Sequence, residues 1–263
     1  MKRHARLFLL YFGQYAKVRM AYKADFIIAF FSSMAATVLG FGFVLVLFSK
    51  IPRLQDWSFN EIVFLYGFSL IPLGIFNVVS WNLYEFGEIY IIEGRFDRVM
   101  LRPVNTLFQV IFEKFRVESL QEVVTGLAVL AICVRRMHLT FPAVDYLWFA
   151  LMIACGATIY LAVFLILTAV SFWFEDRVGI VPPVFNMLNF GRYPMTIYNV
   201  FIQFLLSWII PFGFASFYPT THFLGRTNFS MYFHVVPVVA VGFSLLAVFV
   251  WERGVANYGS TGT

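Results

Sequence analysis

Four stretches of this sequence run for twenty or more residues without a charged side chain: residues 26–48, 62–81, 147–174 and 231–250. A bilayer core about 30 Å thick takes about 20 apolar residues in a helix that advances about 1.5 Å per residue. Each run therefore reads as a membrane-crossing helix. Composition agrees, with 61% of residues hydrophobic and only 13% charged, about half the charged share of a soluble domain. No polar stretch is long enough to fold separately in water, so the 263 residues read as a single transmembrane domain. An enzymatic or energy-coupling domain would have to come from another polypeptide.

A fifth charge-free run, residues 193–225, is too long for one crossing and is interrupted by Pro211 and Pro219. It divides into a span over 196–211 and a proline-broken segment that returns part way into the membrane. Irregular backbone at that depth has to be buried in protein or face a wet cavity, because lipid offers its N–H and C=O groups no partner. The remaining apolar run, 123–134, gives only about 18 Å of helix. To cross, it has to begin near residue 115, which brings Glu118, Gln121 and Glu122 to the membrane boundary or just inside it. Lys114, Glu118 and Glu122 are spaced four apart and would share one helix face.

The expected architecture is thus all-α, with six transmembrane helices over about 25–48, 62–82, 115–134, 147–174, 196–211 and 231–251. With six spans the loops alternate sides. Lys and Arg number fourteen on the side of the termini and five on the other, so the positive-inside rule places both termini in the cytoplasm. Residues 1–22 carry Leu7, Phe8, Tyr11, Phe12, Tyr15 and Val18 at helical spacing among Lys2, Arg3, Arg6, Lys17 and Arg19. That pattern predicts an amphipathic helix lying in the interface.

The chemistry of several function classes is missing. There is no G-x-x-x-x-G-K-[ST] phosphate loop, so the chain is not expected to hydrolyse ATP. His4, His138, His222 and His234 share no metal-ligand spacing, and no metal is expected. Cys133 and Cys155 lie in apolar runs and read as packing residues. The four clear runs contain no Asp, Glu, Lys or Arg, which disfavours an ion-coupled carrier. Glu118 and Glu122 are the intramembrane candidates, read either as an interfacial pair that snorkels to water or as substrate contacts. They would also have to serve a membrane enzyme or assembly factor acting on lipid-linked substrates, the alternative reading of the chain.

The most informative polar stretch is the loop 84–105, YEFGEIYIIEGRFDRVMLRPVN, in which apolar residues alternate with charges of both signs. It predicts a short amphipathic helix on the cytoplasmic side, weakened at Gly94 and stopped at Pro103. A mere connector gains nothing from such charge density, whereas docking on a soluble partner uses it for register.

The stretches EGRFDRVMLRPVN (93–105), FGRYPMTIY (190–198), SWIIPFGFASFYP (207–219) and the tail WERGVANYGSTGT resemble an ABC-2 type transporter permease, more narrowly the six-span bacterial subunit of an ABC exporter. The resemblance implies a bacterial inner (cytoplasmic) membrane location and a translocation pathway for an amphiphilic, lipid-like or drug-like substrate at a homodimer or heterodimer interface. It implies two cytoplasmic ABC ATPase subunits that use the ATP and Mg, this chain binding no cofactor and no nucleic acid. Residues 1–22 would be the elbow helix. Glu88, Glu93, Arg95, Phe96, Asp97, Arg98 and Arg102 would form the ATPase-coupling interface, and Pro211, Phe212, Pro219 and His222 the broken segment closing the outer end.

Overall fold

A computed structural model describes residues 22–174 and 181–259, with Gly13 and Lys17 besides. The amphipathic helix expected over residues 1–22 otherwise lies outside the described residues. Five long helices, numbered in chain order, dominate: α1 (Lys23–Lys50), α2 (Phe59–Val79), α3 (Leu120–Arg136), α4 (Ala143–Ala169) and α5 (Ser230–Asn257). No named strand occurs among the described residues. All five helices are long and apolar enough to cross a membrane, α3 when counted with the 3₁₀ turn Val117–Ser119 before it. The chain is an all-helical integral membrane protein.

The bundle has two ends. At one, Trp57 lies in the loop between α1 and α2. At the other, Trp251 lies near the end of α5. Helices α1 to α4 alternate in direction between these ends, as the contact of Phe48 with Phe59 requires for the first two, whereas α5 runs parallel to α4, its start beside the start of α4 where Trp148 meets Phe233. The start of α2 is fixed by a capping box, in which Ser58 Oγ accepts from the Glu61 N–H and Glu61 accepts from the Ser58 N–H at 2.9 Å. Helix α2 is the centre of the bundle: 83% of its apolar window is buried, against 11% for α1 and 22% for α5. It packs closely on α3 through facing glycines. A Cβ on Gly126 would stand 2.6 Å from the Gly67 carbonyl oxygen, the small-residue contact by which helices associate in lipid.

Two local expectations differ from the structure. The chain is not helical over 113–116, so Lys114 does not share a helix face with Glu118. Lys114 pairs with Glu85 at 3.1 Å instead, and an Arg116 N–H bond to the Val78 carbonyl at 2.8 Å turns the chain into the 3₁₀ start of α3.

The second difference concerns the crossing between α4 and α5. The sequence places it at 196–211 and leaves 175–195 in a loop. In the structure Phe185 packs on Tyr84 and Phe164, toward the Trp251 end. Eleven residues later, Thr196 accepts a hydrogen bond from Trp57 Nε1 at 3.0 Å. Between them Arg192 reaches Tyr66, and Tyr193 packs on Phe43. Residues 181–197 therefore traverse the bundle. They do so as a short helix (Val181–Met187), a 3₁₀ turn (Leu188–Arg192) and extended backbone around Pro194. At about 1.5, 2.0 and 3.3 Å per residue these pieces span roughly 30 Å. Counted with the long helices, this makes six crossings, and Lys23 and Asn257 lie at the same end.

The bent pair Val200–Ile209 and Phe212–Phe223, which turns through 69°, begins and ends near Trp57. Its far arm reaches Phe141 and Phe149 through Phe223. Its tip lies deep, with Phe212 on Tyr160 and Phe164. Residues 211–221 are buried without a break, and their polar groups are partnered internally. Ser216 Oγ donates to the Gly191 carbonyl at 2.6 Å, and Ser207 and Tyr218 share a hydrogen bond of 2.8 Å. Gly156 of α4 makes room, since a Cβ there would lie 2.5 Å from the Ala215 carbonyl oxygen. Gly156→Ala is expected to cost about 1–3 kcal/mol by overpacking against backbone. Gly42→Ala, whose Cβ would meet nothing within 4 Å, is its control. Thermal unfolding of the solubilised protein compares the two, and equal midpoints would refute the packing assignment.

Candidate functional site

Between α2 and α3 at the Trp251 end, the loop 84–105 folds into a compact knob. A π-helical turn (Gly87–Ile92) leads to Gly94, whose φ of +70° suits glycine, and then to a short helix Phe96–Met100. Asn105 caps the next helix, Thr106–Phe112, by accepting from the Phe108 N–H at 3.0 Å. The single amphipathic helix expected here is thus two pieces hinged at Gly94.

Glu88, Glu93, Arg95, Arg98 and Arg102 are exposed on this knob, and Asp97 is half-buried. Glu93 and Arg95 pair at 2.8 Å. Leu101, 84% exposed, and Met100 and Ile92 add apolar surface among the charges. Phe96 differs from the residues it was grouped with: it points inward and is fully buried. Its ring lies 5.0 Å from those of Phe172 and Tyr258, and it also meets Phe86 and Trp251. Phe172 follows the end of α4 and Trp251 belongs to α5, so the knob is socketed into two crossing helices.

Polar bonds lock the socket. Gln109 Nε2 donates to the carbonyls of Val99 and Val104 at 3.1 and 2.9 Å, and Trp251 Nε1 donates to Thr106 at 3.2 Å. Tyr90 donates to Glu113 at 2.5 Å. Burial and that carboxylate hold the Tyr90 hydroxyl protonated well above its usual range. Burial, together with Asp97 beside it, pushes Tyr258 up to about 12. Both phenols therefore stay neutral at physiological pH.

A second polar group lies along the seam between α1, α2 and α3. Glu122 is buried, accepting from Asn77 Nδ2 at 2.9 Å and from Ser33 Oγ at 3.4 Å. Gln121 Nε2 donates to Ser33 and Thr37, at 3.1 and 3.2 Å, and Tyr66 donates to the Thr37 carbonyl at 2.9 Å. Arg192 closes the line from the irregular crossing. Glu118 is also buried, with Arg116 3.6 Å away. Neither carboxylate snorkels out to water.

At the Trp57 end, Arg226 lies 3.8 Å over the Trp57 ring, pairs with Glu61 at 2.8 Å and donates to the Asp56 carbonyl at 2.8 Å. Pro211, Phe212 and Pro219 are buried within the hairpin. His222, at its rising end, stacks on Phe233 with ring centres 3.9 Å apart and lies 3.6 Å from Asp145. Among the described residues no group of three or more His, Cys, Asp or Glu could hold a metal ion.

Sequence reasoning missed Arg192, Tyr66, Asn77 and Ser33 in the seam, and Trp57 and Arg226 at the cap. The polar residues inside apolar runs were the available signal for the seam. Phe96→Ala removes a ring that seats the knob, a loss of about 3–5 kcal/mol for a buried aromatic. Trypsin should then cut at Arg95 or Arg98 at least about tenfold faster, because local opening governs cleavage. Unchanged cleavage would refute the socket.

A family model described as ABC-2 family transporter protein matches residues 33–262. No curated protein and no solved structure matches the chain.

Proposed function

Because the chain belongs to the ABC-2 family of transporter proteins, we propose that it is the permease subunit of an ABC exporter. In this reading it forms the pathway for an amphiphilic, lipid-like or drug-like substrate at a dimer interface in the bacterial inner membrane. Two cytoplasmic ATPase subunits would supply the work, using ATP and Mg that this chain does not bind. The observation that carries the proposal is the knob: a mixed-charge surface, seated through the buried rings of Phe86 and Phe96 on the ends of α4 and α5.

The charge distribution supports the orientation. With 181–197 taken as a crossing, Arg192 leaves the loop tally, and Lys and Arg still number thirteen against five. That bias puts the Trp251 end and its knob in the cytoplasm, where a soluble ATPase can reach it. Glu88, Glu93, Arg95, Asp97, Arg98 and Arg102 then give register to the docking, and Leu101 and Met100 give it buried area. The socket turns docking into force. A push on the knob is passed by Phe96 to Phe172 and Trp251, and so to both α4 and α5. At the opposite end the same two helices hold the hairpin, through Gly156 under Ala215 and Phe233 under His222. Movement of the pair would open or close the outer end of the pathway.

The triple charge reversal Glu93→Arg, Arg95→Glu, Arg98→Glu alters exposed groups and leaves Phe96 seated. It is expected to weaken ATPase binding at least about tenfold, measured on the copurified complex, and to abolish transport-coupled hydrolysis without shifting thermal stability. Intact binding and coupling would overturn the docking role.

A further inference from the structure

Arg192 lies where the sequence expects no charge. It sits within the bundle between Gly40 of α1 and Tyr66 of α2, its guanidinium carbon 5.5 Å from the centre of the Tyr66 ring. Gly40 makes room for the Tyr66 hydroxyl, from which a Cβ there would stand only 2.5 Å, and Arg192 Nη1 lies beside it at an ordinary contact distance of 3.5 Å. Among the described residues, no carboxylate comes within ion-pair distance of Arg192. Its Nε is buried and has no acceptor. Glu122 is close enough for its charge to interact with Arg192, yet its oxygens are taken by Asn77 and Ser33.

A cation in an apolar layer is costly unless a counter-charge or water meets it. A guanidinium offers five donors in a rigid fork and no acceptor, a geometry that matches a phosphate or carboxylate. Gly40 is flanked on α1 by Leu39 and Phe43, 73% and 57% exposed. An anionic head at Arg192 would therefore have apolar surface beside it for a tail.

We propose that Arg192 reads the headgroup of the transported amphiphile, and that the counter-ion it lacks among the described residues is an anionic phosphate or carboxylate head carried on an apolar tail. The assignment rests on the reading of the chain as a permease for amphiphiles. Tyr66 walls the guanidinium on one side, and its hydroxyl, which donates to the Thr37 carbonyl, accepts from Arg192, so the remaining donors of the fork are left for the ligand. Glu122 sets the polarity of the far end of the seam.

The test uses the purified chain in nanodiscs of equal phosphatidylglycerol and phosphatidylcholine, with retained lipid identified by native mass spectrometry. The wild type should retain phosphatidylglycerol in preference. Arg192→Gln should lower that preference about tenfold, as the loss of one charge-assisted contact does, while Arg192→Lys keeps most of it. A wild type without preference overturns the proposal whether or not the Gln variant folds, and so does a folded Gln variant that keeps the preference in full. Millimolar inorganic phosphate that displaces phosphatidylglycerol would assign the site to a free anion and overturn the amphiphile. No ATPase enters the measurement, so a failure of headgroup reading is distinct from a failure of coupling.

Discussion

Hydrocarbon cannot hydrogen-bond a peptide group, and the irregular part of this molecule depends on that constraint. Residues 188–223 hold a 3₁₀ turn, extended backbone, a π-helical turn and a bend of 69°. None of it is tolerable against lipid. The structure answers by putting the hairpin tip at the centre of the bundle and letting the regular helices enclose it. Gly156 thins α4 where Ala215 presses on it, and Ser216, Thr220 and Thr221 satisfy nearby carbonyls with their hydroxyls. The glycine contact between α2 and α3 follows from the same need, since it draws the outer helices close around the core.

The two ends of the bundle are built differently. The Trp251 end is an aromatic socket under a charged knob, with few ion pairs inside it. The Trp57 end is a polar clasp, in which Arg226 ties Glu61, Asp56 and Trp57 together and His222 meets Asp145. Aromatic packing transmits displacement because filled interiors resist compression. Single ion pairs near water exchange at modest cost. The proposed coupling, driven at one end and opening at the other, would call for that difference, and α4 and α5 are the members common to both ends.

Much of the architecture was legible because hydrophobic length is a strong signal. The five long helices lie on the charge-free runs and the short run at 123–134 and start slightly before them, although α2 ends at Val79 and α4 at Ala169, inside their runs. The sixth crossing was not legible for a physical reason. Its polypeptide economises on residues by unwinding, so it needs only about 17 positions where a straight helix needs about 20. It also contains Arg192, and it lacks a helical period. The charge-free run beside it looked like the better span and is a hairpin that returns to the end it left. Most of the charged side chains of the knob are exposed, and their density could be read from the sequence alone. The inward turn of Phe96 could not, because alternation within 96–102 does not say which side the rest of the fold will cover.

The seam sharpens what the charge-free runs imply. On the sequence, the intramembrane charges are the acidic Glu118 and Glu122, with no cation among them. The irregular crossing changes this by delivering a cation from a segment that is not itself a regular apolar helix. Placing Arg192 on α1 or α2 would cost about 2.5–3.5 kcal/mol on insertion scales, paid each time the helix enters the membrane. A crossing that is threaded between formed helices, and meets Tyr66 and the field of Glu122 on arrival, escapes part of that cost. Lipid tails cannot be what covers the guanidinium, since they would leave the charge uncompensated. The face of the bundle between α1 and the 188–192 turn is therefore a face that meets water, a charged ligand or protein, and α1, the least buried of the long helices, stands at its border.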